Sequence, residues 1–558
     1  MDRTEWSNDA GIAGVFPGRG FRAAPRKKFC ASLVTGTLLF LCALSFYYFA
    51  VLKIDYHKTE LLDLGWSDAA EYFAQAKAML KGEYPTLNFG HKKLPSRFPM
   101  GYPVLMLPWL KILPEADSVL APYRTNQTIG LLLLLTVFGF YAYLRMPLAG
   151  GVAALLLATL PAFFTLCRSS LSDISASAFV ALAFMSAYLG LTEEHCWKIY
   201  MSAVFLGLSV NIRVQSLFFA PLLLAMALFP IKKTRLRWFL HCLAMPIVLV
   251  LAMSPSLVTN TILFHSPLKT GYGFWIVWPP SLGEQPPYFS LRYIPMNLAY
   301  FWNEFSLRGN SSSNVLGPGT SFIPAFILLT CVGLFFIRMN RFAVCALLSA
   351  LSFLAATLAF AISEPRYYLP LLILAVAVAV LPTTWAVQNL FIRRRIIPAL
   401  AVLILFCGAC LGYPSRASSG ARGIDHSRTR EAFQFDKLGR PPRWFLAQKH
   451  FVEMFGYQPC LVLADINPFY LNALLPDGIV AAHLDGERLS AFKHIHGYDR
   501  AEVLALVQHA VAQSLPVYAL FVSREEMEQK STRLPQIGGY NWTPTADAAI
   551  LKLSSSGR

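Results

Sequence analysis

Residues 30–52 read CASLVTGTLLFLCALSFYYFAVL, an apolar run without a charged side chain. About 20 apolar residues let a helix cross the hydrocarbon core of a bilayer. Ten further apolar runs follow in the first three quarters of the chain. The predicted spans are 30–52, 125–145, 148–166, 174–192, 199–212, 215–230, 238–258, 321–337, 342–362, 367–390 and 396–412. The fifth and sixth are short, and Asn211 and Arg213 interrupt the apolar run between them. The sequence therefore predicts an α-helical polytopic membrane protein with about 11 transmembrane helices.

The charge pattern predicts the orientation of these helices. Only 14% of the 558 residues are charged, against about 25% in soluble proteins, and the formal net charge is +17. The lysines and arginines cluster at the ends of apolar runs, as the positive-inside rule requires, which excludes nucleic acid as the partner of this basic chain. We expect a cytoplasmic basic tail at 1–29, a membrane body at 30–412 and outer loops at 53–124 and 259–320.

The C-terminal residues 413–558 differ from the membrane body. Short apolar runs at 460–464, 478–482 and 516–522 predict strands, and residues 499–513 predict a helix. Strands that alternate with helices favour a soluble α/β domain. With an odd number of spans, this domain lies on the side of the membrane opposite the N-terminus.

The first outer loop contains DLGWSDAAEYFAQAKAMLKG at residues 63–82. Its apolar residues fall on one helical face and Gly82 is a suitable helix stop, so the pattern predicts an amphipathic helix lying on the outer membrane surface. Asp68 stands at its start. From spacing alone, Asp68 is either a functional carboxylate or a residue that favours the helix N-terminus through the helix dipole.

Further motifs follow the Asp68-x-x-Glu71-Tyr72 pattern of this loop. They are Arg97-Phe-Pro-Met-Gly-Tyr-Pro103, Arg168-Ser-Ser-Leu-Ser-Asp173, Thr259-Asn260 with Phe264 to Tyr272, and Glu364-Pro-Arg366-Tyr367-Tyr368-Leu-Pro370. In their order and their common place at the outer ends of spans, they resemble the GT-C superfamily of membrane glycosyltransferases over residues 30–412. More narrowly, they resemble the branch of protein O-mannosyltransferases, lipid A aminoarabinose transferases and related bacterial enzymes. No motif of the tail adds to the resemblance.

The resemblance implies roles for individual residues. Asp68 and Asp173 match the catalytic or metal-organising carboxylates of the family, so they are candidate catalytic residues and candidate ligands of a divalent metal cation. Arginine binds phosphate in a bidentate manner, which makes Arg366 and then Arg213 candidates for the donor phosphate. Glu71, Tyr72 and Tyr367 are candidate supporting residues. The chain departs from the protein O-mannosyltransferases, which carry adjacent Asp and Glu residues where this loop has Asp68-Ala69, and this favours a bacterial relative with another acceptor.

Each of these side chains also has a purely structural interpretation. Asp173 can simply begin a helix, and Arg366 can pair with Glu364. The aliphatic part of the Arg213 side chain can extend through the apolar region so that its guanidinium group reaches the membrane surface. Tyr72 is most simply an aromatic anchor at the membrane interface.

The expected function is the transfer of a sugar from a polyprenyl-phosphate donor to a lipid, glycan or protein acceptor on the outer face of the membrane. The resemblance to bacterial members favours the bacterial inner membrane, with the C-terminus in the periplasm. Two alternatives remain open at this stage. One is a transporter or flippase of a lipid-linked saccharide, although such proteins usually show internal repeats. The other is a non-catalytic protein of envelope assembly.

Overall fold

The computed structural model describes residues 26–53, 67–90, 92–193, 195–224, 235–272, 289–305, 341–361, 365–392, 443–466, 468–485, 500–547 and 549–556. The chain divides into two compact units. The first, called the body unit, comprises Met1–Ile54, Tyr123–Pro255 and Pro286–Phe433. The second, called the loop–tail unit, comprises Asp55–Pro122, Ser256–Gln285 and Gln434–Arg558.

Helices dominate the described residues up to 392. In chain order, the elements are α1 (Arg26–Tyr47, continued by a π-helical turn Tyr48–Leu52), α2 (Ser67–Leu80), β1 (Thr86–Asn88), β2 (Lys93–Pro95), α3 (Gly101–Ile112), a 3-10 helix (Glu115–Leu120), α4 (Ala121–Tyr143), α5 (Pro147–Thr159), α6 (Pro161–Cys167), α7 (Asp173–Thr192), α8 (Cys196–Ile212), a 3-10 helix (Val214–Leu223), α9 (Arg235–Phe264), a 3-10 turn (Leu291–Tyr293), α10 (Ile294–Phe305), α11 (Arg341–Ala359), a 3-10 turn (Pro365–Tyr368) and α12 (Leu369–Ile392).

Strands and helices alternate in the described tail. The elements there are α13 (Arg443–Phe455), β3 (Cys460–Ala464), α14 (Pro468–Leu474), β4 (Ile479–His483), α15 (Arg500–Ala512), β5 (Val517–Leu520), α16 (Arg524–Lys530), a 3-10 turn (Ser531–Arg533), β6 (Tyr540–Pro544) and β7 (Ile550–Ser555).

Several described helices are suited to a bilayer. Five are long and apolar enough to cross one: Cys30–Leu52, Asp117–Tyr143, Asp173–Thr192, Phe239–Phe264 and Phe342–Ala359. Shorter apolar helices cover Pro147–Thr159, Cys196–Ile212, Val214–Leu223 and Arg366–Pro382. The chain is an integral membrane protein. The predicted spans 321–337 and 396–412 lie outside the described residues.

Two predicted spans are not the continuous helices that the apolar runs suggested. The span at 148–166 is broken at Leu160, whose backbone is extended before Pro161 begins a new helix. The span at 215–230 starts as a 3-10 helix, because the chain takes an extended conformation at Arg213 and α8 ends at Ile212. The interruption predicted at Asn211 and Arg213 is thereby confirmed.

Small residues and aromatic rings hold the body unit together. Helices α1 and α5 cross so closely that a Cβ on Gly36 would collide with the backbone of Pro147, and a Cβ on Gly151 would collide with that of Gly36. Close crossing at small residues is how helices associate where water provides no driving force. A second cluster joins α7, α8, the 3-10 helix Val214–Leu223, α9 and α11, and there the rings of Phe219 and Phe353 stack at 4.4 Å.

The loop–tail unit is built on a five-stranded sheet with the order β4-β3-β5-β7-β6. Strands β3, β4 and β5 are parallel, and β6 and β7 run antiparallel at one edge. The strands and the helix predicted in the tail are present. The predicted domain boundary at 413 stays a prediction.

The first outer loop packs with the tail inside this unit. The Asn472 side chain donates to the backbone oxygens of Asn88 at 3.0 Å and Ala481 at 2.9 Å, and the rings of Phe89 and Phe469 lie 5.5 Å apart. Helix α2 packs against α3 and α14, and Gly82 ends it with a φ of 77°. The predicted helix is confirmed, but its placement on the membrane surface is wrong for residues 69–76, because they are buried within the protein.

A cluster of charged side chains lies at the carboxyl ends of β3 and β4. His483 lies between Asp465, 3.3 Å from its Nε2, and Asp485, 3.2 Å from its Nδ1. Lys530 Nζ contacts Asp465 at 2.6 Å, and Arg533 pairs with both aspartates. Burial raises the pKa of Asp465, but hydrogen bonds from His483 and Lys530 outweigh burial and hold that pKa well below its usual range.

Candidate functional site

Three ionisable side chains meet in the body unit at places where helices begin or break. Asp173 is the first residue of α7. Arg213 lies at the break between α8 and the following 3-10 helix. Arg366 lies in the 3-10 turn that precedes α12. Helix ends carry polar backbone groups that need partners, so they are natural places for charged side chains in an apolar body.

The two arginines converge on one carboxylate. Arg213 Nη1 forms an ion pair with Asp173 Oδ1, and Arg366 Nη1 lies 3.9 Å from Asp173 Oδ2. The side chain of Asp173 is 2% exposed and that of Arg366 is 5% exposed, so these charges are largely removed from water. With one carboxylate and two guanidinium groups, the cluster has a net charge of +1.

The ring of Tyr367 lies close to the guanidinium groups of both Arg213 and Arg366. Its ring centroid lies 4.9 Å from the guanidinium carbon of Arg213 and 5.4 Å from that of Arg366. A cation above an aromatic face is attracted by the ring quadrupole. The predicted site residues Asp173, Arg213, Arg366 and Tyr367 therefore share one cluster, while Glu364 lies outside the described residues.

A small pocket opens next to this cluster. Asp173, Arg213 and Arg366 lie at one part of its wall, and aromatic side chains supply much of the remainder. The aromatic members are Phe218, Phe289, Phe353, Phe360 and Tyr367. A pocket with a cationic part and an apolar part suits an amphiphile with an anionic head.

Two buried asparagines fix the backbone around the pocket. Asn126 donates to the backbone oxygens of Ser169 at 2.8 Å and Leu171 at 2.6 Å, which holds the turn that leads into Asp173. Asn297 donates to the backbone oxygens of Leu358 and Phe360, both at 2.7 Å. Sequence reasoning missed both. Asn297 is an uncharged amide between apolar residues, whereas Asn126 stands among the polar residues 124–128 and gave no local signal.

A second charged cluster lies in the loop–tail unit around α2. Glu71 is 2% exposed and accepts hydrogen bonds from Arg97 Nε at 2.6 Å, the Arg97 backbone N–H at 3.1 Å and Ser96 Oγ at 3.0 Å. Gln75 Nε2 in turn donates to Ser96 Oγ at 2.7 Å. Arg97 Nη2 also lies 3.6 Å from Asp68 Oδ1.

Arg97 therefore links the two acids of the loop motif. Burial raises the pKa of Glu71 above its usual value, and the charge and hydrogen bonds of Arg97 offset only part of that rise. Asp68 is 21% exposed, so it is the more accessible of the two carboxylates. Arg97 begins one of the motifs identified in the sequence, but no role was predicted for it.

Tyr72 packs inside the protein and does not stand as an interfacial anchor. It is 3% exposed, and its ring lies 4.7 Å from that of Phe98 and 5.0 Å from that of Tyr102. Tyr272 packs edge-on against Phe98 from the segment that follows α9. The aromatic residues of the loop motif thus pack against α2.

The residues described do not favour a metal at either carboxylate. Among them, no group of three or more histidine, cysteine and acidic side chains is arranged to hold a metal ion. Asp173 faces two guanidinium groups and Asp68 faces Arg97, and a cation is a poor neighbour for such a set. Asp68 and Asp173 belong to different units, so the metal site predicted from both stays a prediction.

The chain shares its fold with a solved membrane-protein structure. The structure of ArnT from Cupriavidus metallidurans bound to undecaprenyl phosphate matches with a TM-score of 0.52 and 11% sequence identity, over 93% of this chain and 97% of that chain. The oligosaccharyltransferase AglB from Archaeoglobus fulgidus, in complex with an inhibitory peptide and a dolichol-phosphate, gives 0.49 and 12% over 93% and 74%. No family model and no curated protein sequence matches the chain. The resemblance predicted from the loop motifs is thereby confirmed at the level of the fold.

Proposed function

We propose that this protein is a glycosyltransferase that moves a sugar from a polyprenyl-phosphate donor to a lipid, glycan or protein acceptor. The observation that carries the proposal is a pair of arginines, the half-buried Arg213 and the buried Arg366, beside a pocket with aromatic walls. A lipid phosphate presents a charged head next to an apolar chain, and this pocket matches both parts. The fold supports the proposal as well, since ArnT shares it and its structure is bound to undecaprenyl phosphate.

The proposed reaction needs cations for the leaving phosphate and a base for the attacking hydroxyl. An acceptor hydroxyl attacks the anomeric carbon of the donor, the bond between that carbon and the phosphate oxygen breaks, and the phosphate leaves with the bonding electrons. Arg213 and Arg366 neutralise the charge that develops on the leaving phosphate. The sequence resemblance assigns acceptance of the hydroxyl proton to Asp68. Glu71 holds Arg97, and Arg97 positions Asp68.

The remaining details of the proposal follow from the sequence. The body has 11 spans and lies in a bacterial inner membrane. The tail is a soluble α/β domain in the periplasm, and the N-terminus is in the cytoplasm. The transferred sugar is a hexose or a pentose. A divalent metal stays a prediction, and no step here depends on one.

The test is a transfer assay with the full chain purified into lipid. A panel of radiolabelled polyprenyl-phosphate sugars is supplied together with a membrane extract as the acceptor source, and transferred label is counted. We expect wild type to consume one donor, and Arg366→Gln and Asp68→Asn to lose at least about 100-fold in rate.

Two control variants separate function from folding. Arg292→Gln removes an exposed arginine that lies against its neighbour Tyr293, much as Arg366 lies against Tyr367. Asp477→Asn removes an exposed acid of the loop–tail unit. Both should keep wild-type activity. Equal rates for wild type, Arg366→Gln and Asp68→Asn would refute the site, and flipping of donor lipid without transfer would favour a transporter.

A further inference from the structure

The two arginines proposed to bind the donor phosphate already face a carboxylate, that of Asp173. Asp173 lies against both guanidinium groups that would bind the donor phosphate, and its side chain is 2% exposed. Ion pairs removed from water are screened little by salt, so the presence of this carboxylate matters to any second anion that enters. We propose that Asp173 acts as a built-in competitor of the lipid phosphate and thereby limits how tightly the phosphate-bearing product is held. This inference rests on the proposed function.

The two arginines are paired with Asp173 to different degrees. Arg213 makes the close contact, to Oδ1. Arg366 Nη1 lies 3.9 Å from Oδ2, which is beyond hydrogen-bonding distance. Oδ2 itself is buried and accepts no hydrogen bond from the described residues.

The charges account for the expected effect on affinity. A phosphate bound by both arginines lies near Asp173, and the two anions repel each other in a place with little water. Without the carboxylate, the cluster would carry two positive charges instead of one and would bind phosphate more tightly. Strong binding of the released polyprenyl phosphate would slow turnover, so the carboxylate favours product release at the cost of affinity.

The test measures binding and not transfer. The probe is farnesyl monophosphate, titrated into the full chain in detergent, with farnesol as the neutral control. Asp173→Asn removes the charge and keeps the shape, and Asp173→Glu keeps the charge. We expect Asp173→Asn to lower the Kd for farnesyl monophosphate roughly tenfold, while Asp173→Glu and the affinity for farnesol stay near wild type. A merely structural role for Asp173 would instead weaken binding in Asp173→Asn.

A second variant covers the case in which Asp173→Asn does not fold. Gln215 is half-buried and lines the same pocket, and Gln215→Glu adds a carboxylate of nearly the same shape. We expect that variant to raise the Kd for farnesyl monophosphate severalfold, an effect that 0.5 M salt reduces only partly.

The outcomes separate this inference from the proposed function. Binding by wild type together with unchanged or weaker binding by Asp173→Asn overturns the competitor role and leaves the lipid-phosphate site intact. Unchanged binding by Gln215→Glu overturns it as well. Failure of wild type to bind farnesyl monophosphate at all overturns the proposed function and this inference with it.

Discussion

Replacement of Arg97 by methionine is expected to destabilise the loop–tail unit in a way that depends on pH. The change leaves Glu71, which is 2% exposed, without the guanidinium that contacts it at 2.5 and 2.6 Å. Breaking a buried ion pair by removing one partner costs about 3–5 kcal/mol. Arg97 is 18% exposed, so we expect a cost of about 3 kcal/mol near neutral pH.

The sign of the pH dependence follows from the pKa of Glu71. Burial already raises that pKa, and Arg97 is the main influence that lowers it. In the variant the pKa rises further, so the folded protein keeps the proton to a higher pH than the unfolded chain, whose Glu pKa is about 4.3. The destabilisation then grows as the pH rises above that value, by up to about 1.4 kcal/mol per unit, until the folded pKa is passed.

The assay compares the free energy of unfolding of the full chain in detergent at pH 5 and pH 8. Wild type, Arg97→Met, Glu71→Gln and the double variant form a cycle, and we expect the double variant to recover most of the loss. Lys93→Met is the matched control, because Lys93 pairs with Glu83 at the surface and should cost about 0.5 kcal/mol or less. A loss at Arg97→Met below about 1 kcal/mol that is equal at both pH values would refute the buried pair.

Three further predictions concern other contacts. Asn126→Ala removes two hydrogen bonds from the turn before Asp173, so farnesyl monophosphate should bind severalfold more weakly, measured by the same titration. Asp465→Asn should be less stable than wild type at pH 7, and the gap should begin to narrow near pH 4 and go on narrowing down to pH 2, because the lowered pKa of the Asp465 carboxyl gives stability that is complete above the unfolded value near 3.9 and is lost as the pH falls towards the folded value. Unfolding curves at each pH would check this. Asn472→Ala should speed tryptic cleavage at Lys92 and Lys93, since it releases the hairpin, and unchanged cleavage would contradict that contact.

Much of the body-unit cluster could be predicted from the sequence. Asp173, Arg213 and Arg366 are ionisable residues at the edges of apolar runs, and such residues are costly unless they pair with each other or serve a function. The sequence named each of them as a candidate site residue, and the structure shows that they share one cluster. The break at Arg213 was visible for the same reason.

Other parts could not be read from local patterns. The acid at Glu71 looked like a supporting surface residue because helical periodicity cannot show that a distant Ser96 and Arg97 cover it. The amphipathic pattern of α2 fits a membrane surface and a protein surface equally well, and the partner proved to be protein. Asn126 has no charge and no motif, so only its hydrogen bonds reveal its place beside Asp173.

The pairing of the first loop with the tail has a consequence for how the protein is made. Asn88 and Asn472 are 384 residues apart in sequence, and Lys81 and Asp477 are 396 apart. At roughly 5–20 residues per second, the ribosome needs about 20–80 s to supply the second partner after the first. During that interval α2 and its hairpin have emerged without the strands that later cover them. Nascent chains halted before residue 460 should therefore bind holdase chaperones, and those completed past residue 556 should not.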